Sequence, residues 1–347
     1  MKKGTIFSLP SKLEMELSEI LVDIIPSAEM VRFGKNGSDV TTAAIRLARA
    51  FTGKDMIAVA GYHGWHDWYI GSSSRNLGVP KQVEKLTKKF IFNDSDSLKK
   101  IFSKYPNKFA AVILEPSGLV KPNIEFLRHI KELCKKNKAL LIFDEVISGF
   151  RINLGGAQKE YNIIPDLSCF GKGMANGYPI SAIVGSKKIM KLMEEIFFST
   201  TFAGDTLSIT AAISTIKKLK KFNIIKKNKA FGKKLITELN KIIASSKLSN
   251  YLEISKVDWW PKIVFKNLPI REDLVISLIR QEFIRNGLFL GSTFNICYAH
   301  TQGDILKQTI FKFKNSIERL NLYFLSDNPE RFLTGNLIEK TFKVRYQ

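Results

Sequence analysis

Lys172 lies in the run Ser168-Cys169-Phe170-Gly171-Lys172-Gly173-Met174-Ala175-Asn176-Gly177, where an apolar stretch ends and glycines flank a single amine. Glycine on both sides lets a partner come close to the backbone and leaves the amine accessible, which suits a nucleophile. The ordinary reading of an isolated lysine is a surface charge. A Walker A phosphate loop is ruled out, because Asp166 and Gly173 stand where that motif needs a glycine and a Ser or Thr.

Three further clusters could do chemistry. Leu140-Leu141-Ile142-Phe143-Asp144-Glu145-Val146 ends an apolar run with two carboxylates, at the place where open α/β sheets bind ligands. A buried acid there needs a cation or donor, so its partner is Mg²⁺, an arginine such as Arg151, or the protonated ring nitrogen of a cofactor. Arg32-Phe33-Gly34-Lys35-Asn36-Gly37-Ser38-Asp39 leads into a helix predicted from Val40. Free N–H groups and the helix dipole make an anion seat at Gly37 and Ser38, against the simpler reading of a helix cap at Ser38 or Asn36. Gly61-Tyr62-His63-Gly64-Trp65-His66-Asp67-Trp68 is crowded with aromatics. Two histidines three apart with one nearby acid are a weak zinc signal, and an aromatic wall against a flat ring competes with it.

Taken in order, a phosphate seat, an aromatic wall, a strand-end Asp and a glycine-flanked Lys make the sequence resemble the class III (fold type I) pyridoxal-phosphate aminotransferases, and within them the glutamate-1-semialdehyde aminomutase branch. The likeness runs from about Gly4 to Glu318 and is most specific between Asp144 and Lys172. It implies an enzyme using pyridoxal 5′-phosphate or pyridoxamine 5′-phosphate, with Lys172 and Asp144 as the catalytic pair and no metal. Lys172 would form the Schiff base, Asp144 would pair with the pyridinium nitrogen, Val146 would pack under the ring and Tyr62 would stack on its other face. Gly37 and Ser38 would hold the phosphate together with Thr201, from Ser199-Thr200-Thr201-Phe202-Ala203-Gly204-Asp205, given by the neighbouring subunit of a homodimer. His63 and Glu115 complete the implied cofactor contacts. The run Phe294-Asn295-Ile296-Cys297-Tyr298-Ala299-His300-Thr301 is similar to an Ala-His-Thr strand of the same branch. The acid would keep the ring nitrogen protonated so that the cofactor can act as an electron sink, and burial would lower the lysine pKa so that its amine can move protons.

The elements that must position these residues alternate between strand-length apolar runs and helical periods, the pattern of a parallel sheet covered by helices. Strands are predicted at Met56–Ala60, 110–115, 139–145, Leu167–Phe170 and 180–184, with helices over 40–51 and 123–136. The chain then reads as one long helical stretch over 207–244, a helix near 274–286, a strand at 294–299 and a last helix. The expected architecture is α/β: a large cofactor-binding domain (1–245) around a mostly parallel seven-stranded sheet flanked by helices, and a smaller α+β domain (246–347).

Composition narrows the class. Of 347 residues, 45% are hydrophobic, enough for a sizeable core, and 54 basic against 32 acidic side chains leave a net charge of +22. The lysines are scattered, and no zinc-finger, RNP or basic-zipper spacing is present, so a solvated surface is favoured over nucleic-acid binding. Three separated cysteines, Cys134, Cys169 and Cys297, fit a reducing cytoplasm, and no run approaches membrane-spanning length. Small-molecule amino donors and acceptors are the expected partners.

Departures from the branch keep alternatives open. The resemblance places an amino-terminal segment ahead of this chain's start, so a catalytically silent truncated homologue is one reading. After Glu115-Pro116 the chain reads Ser117-Gly118-Leu119-Val120-Lys121-Pro122, without the branch's small-residue and Asn segment, and the gating loop is shortened to 70–80. That loop shields a turning intermediate, so transamination of another aldehyde or ketone, including an amino-sugar or surface-polysaccharide precursor, rivals intramolecular exchange.

Overall fold

The computed structural model describes residues 4–338, so residues 339–347 of the expected small domain lie outside it. The first compact unit comprises residues up to Gly118 and Pro122–Asn223; the second comprises Leu119–Lys121 and the chain from Ile224 onward. The boundary expected near residue 246 thus falls at the end of a helix that belongs wholly to the second unit.

The first unit is built on seven strands, β1 (Met30–Gly34), β2 (Met56–Ala60), β3 (Thr87–Lys89), β4 (Phe109–Leu114), β5 (Leu140–Asp144), β6 (Leu167–Phe170) and β7 (Ser181–Gly185). They are ordered β1-β7-β6-β5-β4-β2-β3, and only β7 runs against its neighbours. Strands β2, β4, β5, β6 and β7 are buried along their whole length. Continuous apolar runs are what a sheet covered on both faces requires.

The two-residue period sorts those runs between layers. Ile57, Val59, Ala111, Ile113, Ile142, Cys169 and Ile183 face helix α2 (Gly37–Thr52) through Val40, Ala44, Leu47 and Ala48. On the other face, Ala58, Val112, Leu141 and Phe143 meet Leu98 of α3 (Ser95–Lys104) and Leu127 and Ile130 of α4 (Ile124–Lys136). Phe170, Ala182 and Val184 meet Leu17 and Leu21 of α1 (Lys12–Ile24) and Ile209 and Ile213 of α5 (Thr206–Lys221). Helix α1 starts on a capping box, with Ser11 and Glu14 satisfying each other's backbone N–H groups.

The single helical stretch expected over 207–244 is two helices. It breaks at Phe222-Asn223, where Asn223 takes a left-handed φ of 51°, and resumes as α6 (Ile224–Ala244). Asn adopts that conformation more readily than most residues, and it ends α5 there. In the second unit α6, α7 (Glu272–Arg285) and α8 (Ile305–Phe324) enclose a core of Leu235, Leu239, Leu278, Phe283, Phe313 and Leu320, with the antiparallel pair β8 (Leu252–Ile254) and β9 (Ile263–Phe265). The strand expected at 294–299 is absent. Only Thr293 bridges, to Lys262, and from Tyr298 the chain turns into a short 3₁₀ segment in which Cys297 N–H donates to His300 Nδ1. Among the described residues no helix is long and apolar enough to cross a membrane.

Candidate active site

Four parallel strands deliver the candidate residues to one edge of the sheet. β2 runs into Gly61-Tyr62-His63, β4 into Glu115, β5 ends in Asp144, and β6 runs into Gly171-Lys172. β1 points the same way and leads into α2, so the helix start joins this carboxyl edge.

Asp144 is the centre of the cluster. Its carboxylate is 5% exposed; Oδ2 lies 2.8 Å from His63 Nδ1 and Oδ1 accepts from Val146 N at 3.1 Å. The partner is therefore a histidine 81 residues away. Arg151, considered as a partner from sequence, instead donates to the Ile147 carbonyl at 3.0 Å. A carboxylate oxygen accepts, so Nδ1 is the donor of this pair, and His63 Nε2 is buried without a hydrogen-bond partner. His63 packs parallel to Trp68 and edge-on to Tyr69. His66 is turned elsewhere, with its Nδ1 2.7 Å from Thr42 Oγ1, a hydroxyl that also accepts from Trp68 Nε1. The two histidines thus serve different contacts.

Val146 joins the other pieces. A Cβ added at Gly37 would fall 3.0 Å from Val146 Cγ1, and one added at Gly171 would fall 3.5 Å from the same atom. Helix α2 begins at Gly37, three residues earlier than predicted, with Asn36 as its cap residue, and the Asp39 carboxylate folds back to accept from Lys35 N and Asn36 N. Gly37 and Ser38 therefore stand in the first turn, where N–H groups have no acceptor within the helix and the dipole favours an anion. Ser38 Oγ accepts from Trp65 N at 3.4 Å. Gly64, at φ 106°, has to be glycine here, because a Cβ would sit 2.4 Å from that hydroxyl.

Glu115, 4% exposed, accepts from Tyr62 N at 3.0 Å, and the half-buried Tyr62 ring meets Tyr69 edge-on at 5.6 Å. Glu115, Tyr62, His63, Asp144 and Val146 thus lie together, with Gly37 and the glycine before Lys172 beside Val146. Lys172 itself opens a 3₁₀ turn at φ 37° and is exposed, which corrects the expectation that it is buried. The reason is local: β6 ends at Phe170, and Lys172 lies two residues beyond it in a left-handed turn. Thr201 is exposed in the turn before α5 and is tied to none of these residues by a hydrogen bond. Four residues on, Asp205 accepts from Lys35 Nζ at 2.8 Å. Burial works to raise the Asp205 carboxyl, but hydrogen bonds from Lys35, Ser208 and the Leu207 N–H outweigh it and hold the group below the ordinary range.

Glu145 was legible only as the second acid of a pair. Its fully buried carboxylate accepts from Ser148 Oγ and Ala157 N at 2.6 Å each, from Gln158 N at 3.0 Å and from Gln158 Nε2 at 3.4 Å. It thereby holds the turn that follows Asp144 and Val146. Burial pushes this carboxyl above its ordinary range against the pull of those hydrogen bonds. The folded chain then binds more protons than the unfolded one from the ordinary carboxylate range up to the raised folded value, so this group's stabilising contribution is full in acid and is lost as pH rises through that window. Glu145→Ala is expected to remove that slope. By orphaning at least two buried N–H donors, at about 1–3 kcal/mol each, it is also expected to lower the urea midpoint at neutral pH, both read by denaturant titration across pH.

A model of the family described as Aminotransferase class-III matches residues 2–252 of this sequence. The chain is 38% identical over 316 residues to the 3-aminobutyryl-CoA aminotransferase of Cloacimonas acidaminovorans, covering 87% of this chain and 74% of that protein. It is 34% identical over 336 residues to the glutamate-1-semialdehyde 2,1-aminomutase of Archaeoglobus fulgidus, covering 88% and 79%. Among solved structures, the internal aldimine form of the FumI protein of Sphingopyxis sp. MTA144, with pyridoxal phosphate, superposes with a TM-score of 0.86 at 28% identity, covering 96% of this chain and 81% of that one.

Proposed function

This chain belongs to the class III aminotransferases, and on that footing we propose that it moves an amino group in the manner of a glutamate-1-semialdehyde 2,1-aminomutase, with Lys172 as the residue that holds the cofactor. It is a pyridoxal-phosphate-dependent enzyme. The residues present fit that group: a carboxylate 5% exposed at a strand end, and a long helix whose first turn touches Val146, two residues beyond that acid. The observation that carries the reading is Val146 standing beside both Gly37 and Gly171, within 3.5 Å of where a Cβ would be at either, which brings helix start, acid and lysine turn to one sheet edge.

When bound, pyridoxal phosphate supplies an electron sink for a substrate carbanion. On this reading, the Gly37 and Ser38 N–H groups bind the phosphate. Val146 and Tyr62 would flank the ring. Asp144, oriented by His63 and the Val146 N–H, would keep a proton at the ring nitrogen. The Lys172 amine would hold the cofactor and would be the group that takes up and returns a proton beside the substrate. Thr201, exposed in its own chain, serves the phosphate seat of a second copy, so a cytoplasmic homodimer belongs to the same reading.

A second reading is transamination of a β-aminoacyl-CoA. It is supported by the 38% identity to the 3-aminobutyryl-CoA aminotransferase, by the shortened 70–80 loop, and by a net charge of +22 that suits an anionic substrate. Incubating the cofactor-loaded chain with glutamate-1-semialdehyde and no other substrate separates the two. Isomerisation with the amino group moved from carbon 2 to carbon 1 is expected. Turnover only of 3-aminobutyryl-CoA, and only with a keto acceptor, would favour the second reading, and no turnover of either would remove both.

A further inference from the structure

Two residues other than glycine hold left-handed backbone on turns that press against each other. Phe150 has φ 60° and Lys172 has φ 37°. A bulky side chain seldom takes that region, because Cβ crowds the neighbouring carbonyl, and such conformations persist where surrounding contacts over-determine them.

At Phe150 the ring contact leads toward the lysine turn. Its ring is 3% exposed and meets Phe170 at 5.7 Å with an interplanar angle of 66°. Phe170 is the last residue of β6, two before Lys172. Gly149 lies so close to that ring that a Cβ would sit 2.5 Å from Phe170 Cδ1. On the far side of the lysine, a Cβ at Gly173 would fall 3.2 Å from the Gly149 carbonyl and 3.7 Å from Phe150 Cβ. With Val146 against Gly171, the 146–150 segment touches residues on both sides of Lys172, while the lysine side chain is exposed. The segment is in turn held by the buried Glu145 carboxylate, which bonds Ser148 and the 157–158 backbone.

We propose that Phe150 is a positioning residue for Lys172: its ring packs on Phe170 while its Cβ stands beside Gly173, and together these hold the left-handed backbone of Lys172 at the end of β6. Glycine would take φ 60° at no steric cost, so a phenylalanine there is sustained by what its ring braces. The inference rests on the reading of Lys172 as the cofactor-bearing residue, but the brace can be measured without the cofactor.

Two readouts on the full chain test it. Hydrogen exchange of the cofactor-free protein reads the turn directly. Phe150→Gly is expected to speed exchange at residues 172–174 by about tenfold relative to β5, and to slow covalent capture of pyridoxal phosphate at Lys172, trapped by borohydride and located by peptide mass, by a similar factor. Phe150→Leu, which restores apolar bulk, is expected to fall between wild type and Phe150→Gly on both measures, and it carries the comparison if the glycine variant does not fold. A lowered melting temperature with unchanged exchange at 172–174 and an unchanged capture rate would make Phe150 ordinary core packing and overturn the proposal. Faster exchange at 172–174 in a chain whose wild type captures no pyridoxal phosphate at Lys172 would leave the brace standing and remove the functional reading instead.

Discussion

Lys172→Ala is expected to leave a folded chain that no longer retains pyridoxal phosphate covalently after borohydride reduction and whose turnover falls by about 10⁴-fold, the upper end for a single proton-transferring group. Both effects follow from removing one amine. The turn it occupies is supported by backbone bonds that alanine retains, Met174 N–H to the Gly171 carbonyl at 2.9 Å and Asn176 N–H to the Lys172 carbonyl at 3.1 Å, so stability should change little. Because the side chain is exposed, no cavity is left behind. Peptide mass after reduction is the deciding measurement, and a reduced adduct on a different lysine would refute the assignment.

Asp144→Asn carries the second large effect. The amide keeps the shape of the carboxylate but not its charge, so the side chain can no longer hold a proton on a ring nitrogen, and turnover is expected to drop by about 10²–10³-fold. Unlike Lys172→Ala, this variant should still capture the cofactor covalently, because the amine is untouched. The pairing with His63 makes a second outcome readable. The asparagine can offer its carbonyl oxygen to the His63 Nδ1 proton or its NH₂ to a deprotonated Nδ1, so the imidazole is freed from the tautomer the carboxylate imposes. Nitrogen chemical shifts of the His63 ring, compared between wild type and variant, report this. Unchanged shifts and near-normal turnover would show that Asp144 is structural only.

The local parts of this site could be read from the chain alone. A strand-end acid and a glycine-flanked lysine are encoded within a few residues of themselves, and the buried strands announce themselves because a sheet covered on both faces needs unbroken apolar runs. The edge strands were less legible. β1 reads Met-Val-Arg-Phe-Gly and β3 reads Thr-Lys-Lys, and neither has a pattern apart from the neighbour that supplies its hydrogen bonds. The opposite error occurred at 294–299, where a β-rich composition finds only one bridging residue beside it and so forms no strand.

What the sequence by itself determined was the class of chemistry, because residue type and order along parallel strands place an acid, a lysine and a helix start at the same sheet edge. Only the tertiary structure decided which groups each of them meets. His63 reaches Asp144 across 81 residues, Glu145 satisfies backbone donors of a later helix start, and Phe150 is held in a conformation its own type disfavours. Such pairings depend on how layers pack, a property of distances through space that the order of residues along the chain does not contain.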